Sequence, residues 1–149
     1  MTVTTTEQDV VGAAPAVTGF HHLGITVRDI DASEQWYGRV LGLVRGFVEP
    51  HSTGPGYAVV MAHPATGLFL GLDHHPGADG EPFSERRTGL DHVALQVTSR
   101  EELDLWVEHL DQQGVEHGTI AERSEPVPHA LVSFRDLDGI ALELIWFGA

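Results

Sequence analysis

Two histidines and one glutamate stand where this chain can offer them to a single metal ion. His22 opens the run HLGITV, and His92 opens HVALQV seventy positions further on. Glu143 interrupts the otherwise apolar run IALELIW. Side chains alternate across a strand. Leu23, Ile25 and Val27 therefore share one face of the first run, with His22, Gly24 and Thr26 on the other. In the second run Val93, Leu95 and Val97 oppose His92, Ala94 and Gln96. In the third, Ile140, Leu142, Leu144 and Trp146 oppose Ala141, Glu143 and Ile145. The apolar faces must pack on a core, which leaves His22, His92 and Glu143 on the opposite faces. His21 has the parity of the packing side or sits at the strand start, so His22 is the preferred ligand. A carboxylate is seldom set into an apolar strand unless it is paired or metal-bound. Two imidazoles and a carboxylate form the triad associated with non-haem Fe(II), and Mn, Co, Ni and Zn accept the same set.

These residues are positioned by a repeat. GFHHLGITV (19–27) is echoed by GLDHVALQV (89–97), and Trp36 and Trp106 are also seventy apart. Each tryptophan lies in a helix-like stretch. Asp31 with Glu34, and Ser99 with Glu102, have the spacing of capping boxes. Gly42 and Gly114 serve as stop signals. YAVVMAHPATGLFLGL (57–72) then matches HALVSFRDLDGIALEL (129–144) at an offset of 72, each with a turn between two strand-like runs. Each half reads strand, helix, strand, strand, strand. The second strand is weakest, at about 43–49 and 115–121. The expected fold is therefore α+β, with two tandem βαβββ modules over 18–72 and 89–149 in one domain, 18–149. Residues 73–88, rich in Gly, Pro and charge, form a linker or lid, and residues 1–17 a flexible tail.

The offset of 72 pairs Glu143 with Gly71, which has no side chain to offer, and His129 with Tyr57 at the start of the third strand of each module. His74 and His75 lie in the joining stretch beside the expected site. His51, His63, His109 and His117 read as surface residues.

Composition narrows the function. The chain has 149 residues, 42% hydrophobic, and no cysteine, so disulfides, thiolate metal sites and cysteine nucleophiles are excluded. No stretch approaches the roughly 20 apolar residues of a membrane span, and the N-terminus lacks the pattern of a signal peptide. A cytoplasmic location is the default. With 22 acidic and 8 basic residues the formal net charge is −14. Such a chain repels polyanions, so nucleic acid and acidic membranes are not expected partners. Nucleophile-elbow, Walker and dinucleotide-binding motifs are lacking.

The repeated module, with HHLGITVRDIDASEQWY, LDHVALQV and FRDLDGIALELIWF, resembles the vicinal oxygen chelate superfamily of glyoxalase I, bleomycin- and fosfomycin-resistance proteins and extradiol dioxygenases. The resemblance covers roughly residues 19 to 147. It implies that the sheets form a cup-shaped half-barrel around a ligand site, with His22, His92 and Glu143 at metal-ligand positions. Glyoxalase-like members usually supply a fourth ligand where this chain has Gly71. The open positions favour a divalent-metal-dependent enzyme, with Fe(II) as the favoured ion. It would hold a small substrate through adjacent oxygens, with dioxygenase-like chemistry. The alternatives are a non-redox lyase or isomerase and a metal-free antibiotic-binding protein. Thr26, Tyr57, Phe69, Gly71 and Gln96 are expected to line the substrate pocket, with His129 as an acid/base group. The family commonly forms dimers, so a homodimer is expected, with the ligands drawn from one chain or from two.

Overall fold

A computed structural model describes residues 14–78 and 80–148. The elements run β1 (Leu23–Thr26), α1 (Ile30–Leu41), β2 (Val44–Pro50), β3 (Tyr57–Ala62), β4 (Phe69–His74), β5 (Val93–Gln96), α2 (Arg100–Gln112), β6 (Ala121–Arg123), β7 (His129–Arg135) and β8 (Ala141–Phe147). They build two four-stranded mixed sheets, in the orders β1-β4-β3-β2 and β5-β8-β7-β6. In each, the strand before the helix pairs in parallel with the last strand, and the other pairs are antiparallel. This is the expected α+β repeat of two βαβββ modules. The sheets remain separate and are not closed into a barrel.

Each sheet buries one face under its helix, as strand alternation requires. Ile25, Val27, Val59, Met61 and Leu72 pack with Trp36, Tyr37 and Val40. Ala130, Val132, Phe134, Leu142 and Leu144 share the same core with Leu103 and Leu110. The opposite faces, which carry Gly24, Thr26, Ala94 and Gln96, are exposed.

The helix ends hold one correction. The N-cap of α1 is Asp29, whose side chain accepts from the Ala32 N–H at 3.0 Å, and not Asp31. Asp31 instead lies in the first turn, where a negative charge meets the positive end of the helix dipole. Glu34 turns to Arg45, whose Nε donates to it at 2.7 Å. In α2 the expected cap holds, since Ser99 accepts from the Glu102 N–H at 3.2 Å. Glu102 reaches back one residue further, to the Thr98 N–H at 2.7 Å. Gly42 (φ 69°) and Gly114 (φ 67°) take the left-handed conformation that ends a helix cheaply only with glycine.

The modules meet through α1. Trp36 stacks on Phe134 with ring centroids 6.4 Å apart, and the Tyr37 hydroxyl donates to Asp136 at 2.8 Å. Burial, then the Asp136 charge, raises the Tyr37 phenol well above its ordinary pKa, and burial also raises Asp136. Arg28 pairs with Asp138 on the same β7–β8 turn. His109, read as a surface residue, donates to the Val40 carbonyl at 3.0 Å and so helps join the modules.

Three boundaries differ from expectation. β4 continues through His74, two residues past the expected module end. β6 begins only at Ala121, and an isolated bridge between His117 and Phe134 precedes it. Phe83 of the linker packs against the core and its N–H donates to the Asp138 carbonyl at 3.0 Å, so this segment is anchored to the second module. Residues 14–17 of the expected tail have no regular secondary structure, and 1–13 lie outside the described residues. Among the described residues, no helix is long and apolar enough to cross a membrane.

Candidate functional site

Glu143 lies on β8 in register with Ala94 of β5 and Ser133 of β7. His92 immediately precedes β5, and its Nε2 is 3.7 Å from Glu143 Oε2. Asp91 sits 2.7 Å from His92 Nδ1 through its own carboxylate. An Nδ1–H donated to Asp91 leaves Nε2 with its lone pair on the side of Glu143, the tautomer a metal-binding histidine needs. The Ser133 hydroxyl donates to the other Glu143 oxygen at 3.4 Å. The Asp91 hydrogen bond, and then the Glu143 charge, raise the His92 pKa above its ordinary value. Any ion bound at Nε2 must displace the proton that these carboxylates favour.

His22 immediately precedes β1 and is exposed. Its Nδ1 is 2.9 Å from His21 Nδ1, and the His21 ring lies parallel to Phe69 at 6.0 Å. His21, His22, Phe69 and His92 line one cavity of about 410 Å³, walled also by Leu23 and Leu95. That volume suits a small organic ligand, and the lining is mostly apolar beside the imidazoles. The cavity is thus shared by residues of both modules. Among the described residues, however, His22 does not join His92 and Glu143 within metal-coordinating reach.

Residues 19–144 match the Glyoxalase/Bleomycin resistance protein/Dioxygenase superfamily. The chain belongs to that superfamily. A glyoxylase/bleomycin resistance protein/dioxygenase domain from Frankia sp. EAN1pec superimposes with a TM-score of 0.78 at 31% identity, covering 89% of this chain and 100% of that one. FosX of Listeria monocytogenes, a fosfomycin resistance protein solved with Mn(II) and sulfate, shares the fold at a TM-score of 0.61 and 21% identity, over 90% of this chain and 95% of that one. MhqA of Bacillus subtilis (strain 168), provisionally named a ring-cleaving dioxygenase, is 28% identical over 134 residues, 86% of this chain. The match spans 40% of that relative's length.

The remaining residues of this superfamily member divide between the faces. Phe69 is exposed at the cavity. Gly71 is in register with Gly24, and a Cβ there would sit 3.6 Å from the Gly24 Cα, in ordinary contact. Thr26 is exposed beside Asp73 and borders a second cavity, under the linker. Gln96 is exposed beside Ile145. Tyr57 shares the parity of Val59 and Met61, packs against the core, and lies 5.2 Å from the His74 ring. His129 has the parity of Ser133, donates from Nδ1 to the Val127 carbonyl at 2.9 Å and stacks on Phe147 at 5.0 Å. It stands four positions along the strand from Ser133, or about 13 Å.

The expected equivalence of Tyr57 and His129 fails for a definite reason. Val60 pairs with Gly71 and Ser133 with Glu143, so the third strands correspond at an offset of 73 while the fourth keep 72. The turn joining β7 to β8 is one residue shorter than the turn joining β3 to β4. A slip of one residue puts a strand side chain on the opposite face.

A second group escaped the sequence reading. His51, Asp73 and His75 each place a ligand atom within 4.8 Å of the other two. Asp73 shares the parity of Phe69 and Gly71, so its face was legible. The meeting with His51, 22 residues earlier, was not.

Proposed function

We propose that this protein is a divalent-metal-dependent enzyme with dioxygenase-like chemistry, acting on a small substrate that presents two adjacent oxygens. The observation that carries the reading is the His92–Glu143 pair, with His92 held by Asp91. Two ligands, each about 2.0–2.2 Å from one ion, lie about 3–4 Å apart. The 3.7 Å between Nε2 and Oε2 fits that range. His22 is the third ligand of the proposal: it lines a cavity with His92, though not with Glu143, and has to swing toward the pair to share an ion with it. A bound ion supplies Lewis acidity and a template for the substrate oxygens, and Fe(II) adds chemistry with dioxygen.

The chain's own groups have distinct tasks in this reading. Asp91 fixes the His92 tautomer, and Ser133 orients Glu143. Phe69, Leu23 and Leu95 line the cavity that His22 and His92 border, and this apolar wall would accept an aromatic ring beside the proposed ion. Gly71 leaves the equivalent of the Glu143 position without a donor, which keeps room for substrate. The ring cleavage in the name of MhqA supports a ring-bearing substrate. His129, Thr26 and Gln96 stand outside the cavity's lining and Tyr57 packs on the core face, so none of them has a task on the substrate in this reading. The protein works as a homodimer in this reading. β2, exposed along its whole length and carrying Val44, Phe47 and Val48, offers an apolar surface for the second copy.

The test is metal content and oxygen uptake with catechols after anaerobic purification. Wild type should hold Fe and consume oxygen, and His92→Ala and Glu143→Ala should lose both. Stoichiometric Zn, Mn or Ni without oxygen uptake would move the reading to lyase or isomerase chemistry. Failure of this site to take any ion on reconstitution would leave ligand sequestration.

A further inference from the structure

A second constellation lies on the first module, away from His92 and Glu143. His51 follows β2 in the loop to β3, and its N–H donates to the Gly56 carbonyl at 3.1 Å, which closes that loop. Asp73 projects from the outer face of β4, and His75 follows the end of that strand. His51 Nε2 and Asp73 Oδ1 are 2.9 Å apart, and the His51 and His75 rings lie 4.4 Å centroid to centroid. The His51 and Asp73 side chains are 16% and 23% exposed, and His75 is open to solvent.

Two glycines make this arrangement possible. A Cβ at Gly24 would come within 2.8 Å of Asp73 Oδ2. A Cβ at Gly56 (φ 121°) would come within 2.8 Å of His51 Nδ1 and 2.3 Å of the His74 carbonyl. Backbone without side chains on both flanks lets the imidazole and the carboxylate approach.

We infer that His51, Asp73 and His75 form a second binding site for a divalent first-row transition ion. Two imidazoles and one carboxylate select Zn(II), Co(II), Ni(II) or Cu(II) over Mg(II) and Ca(II), which prefer all-oxygen shells. Tetrahedral ligands, each about 2.1 Å from one ion, stand about 3.4 Å apart, so the His51 Nε2–Asp73 Oδ1 contact of 2.9 Å has to open by only about 0.5 Å to admit one. His75 needs only a side-chain rotation at an exposed position. Three protein ligands leave a coordination position open, the arrangement of a reactive rather than a closed structural site. The site is separate from His22. Thr26 is in register with Asp73, and His22 lies four residues back along the strand direction, about 13 Å away. An ion here ties the β2–β3 loop to the end of β4 on the open face of the first sheet.

The test is Zn(II) titration of the chelator-treated full chain carrying His92→Ala, followed by competition with a chromophoric chelator. One Zn(II) equivalent per chain is expected to remain, unaffected by millimolar Mg(II) or Ca(II). It should disappear when His75→Gln or Asp73→Asn is added, and Zn(II) should shift the His51 and His75 imidazole resonances. His75→Gln alters an exposed side chain, so an unchanged circular dichroism spectrum separates loss of the ion from loss of the fold. No bound equivalent in the His92→Ala chain, or one that survives both added substitutions, would overturn the inference. The background lacks the His92–Glu143 pair, so this result is independent of whether that pair binds metal.

Discussion

Asp91 and His92 are neighbours in the chain and are also joined through their side chains, with Asp91 Oδ1 2.7 Å from His92 Nδ1. The contact sets which imidazole nitrogen faces Glu143 and favours the protonated ring. Asp91→Asn should therefore lower the His92 pKa towards the ordinary value near 6.5, as read by NMR titration of the metal-free protein. The linked effect on stability has a fixed sign. A folded-state pKa above the unfolded one adds stability that is complete below the unfolded value and is lost as pH rises through the folded one. Wild-type stability should fall across that interval, and Asp91→Asn should flatten the fall. An unchanged His92 titration would remove Asp91 from the site.

Tyr37→Phe should destabilise the protein by about 1–3 kcal/mol at neutral pH, because Asp136 Oδ2 loses its buried donor. The Tyr37 hydrogen bond lowers the Asp136 pKa against the opposing effect of burial. Without it that pKa should rise further. A raised carboxylate pKa means that the stability present below the unfolded value is lost as pH rises through the folded one, so the variant's deficit should shrink in acid. Urea unfolding at several pH values measures both effects.

Gly24→Ala should cost no more than about 1 kcal/mol, because the new methyl comes within 2.8 Å of Asp73 Oδ2 and the partly exposed carboxylate must shift from its contact with His51. Adding Asp73→Ala should relieve part of that cost. A double-mutant cycle on unfolding free energies reads the coupling, and additive single effects would mean that Asp73 simply swings away.

Asp29→Ala should cost about 1 kcal/mol through loss of the α1 cap. Asp31→Ala should cost less, since it removes only a charge near the helix dipole. Concentrated salt should erase the Asp31 effect and leave most of the Asp29 effect, because screening weakens the charge and not the hydrogen bond. Thermal unfolding with and without 1 M NaCl, on the order of a 3 Å screening length, separates them.

The strand faces were legible because alternation and burial act residue by residue. Leu23, Ile25 and Val27 had to oppose His22, Gly24 and Thr26, and the structure buries Ile25 and Val27 while leaving the other set exposed. The α1 cap was missed for a local reason. Glu34 stands at the capping-box spacing from Asp31, whereas Ala32 stands there from Asp29, so spacing pointed to Asp31, and only the extended backbone at Asp29 (φ −125°) marks the true cap. The expected equivalence of Tyr57 and His129 failed because the offset between the halves changes from 73 in the third strands to 72 in the fourth, and a turn one residue shorter leaves no mark that the sequence alone can show.

The sequence by itself determined the βαβββ repeat, the polar faces of the strands, and the placing of His92 and Glu143 on one face of the second module. Periodicity and adjacency carry those features, and both are properties of a linear chain. Only the tertiary structure decided that Asp91 turns back on its neighbour, that Tyr37 reaches Asp136 across the modules, and that His51 meets Asp73 and His75. Those contacts depend on rotamers, on how α1 docks against the second module, and on the path of the loop after β2. Such features are set by packing and chain closure over distances that no local pattern encodes.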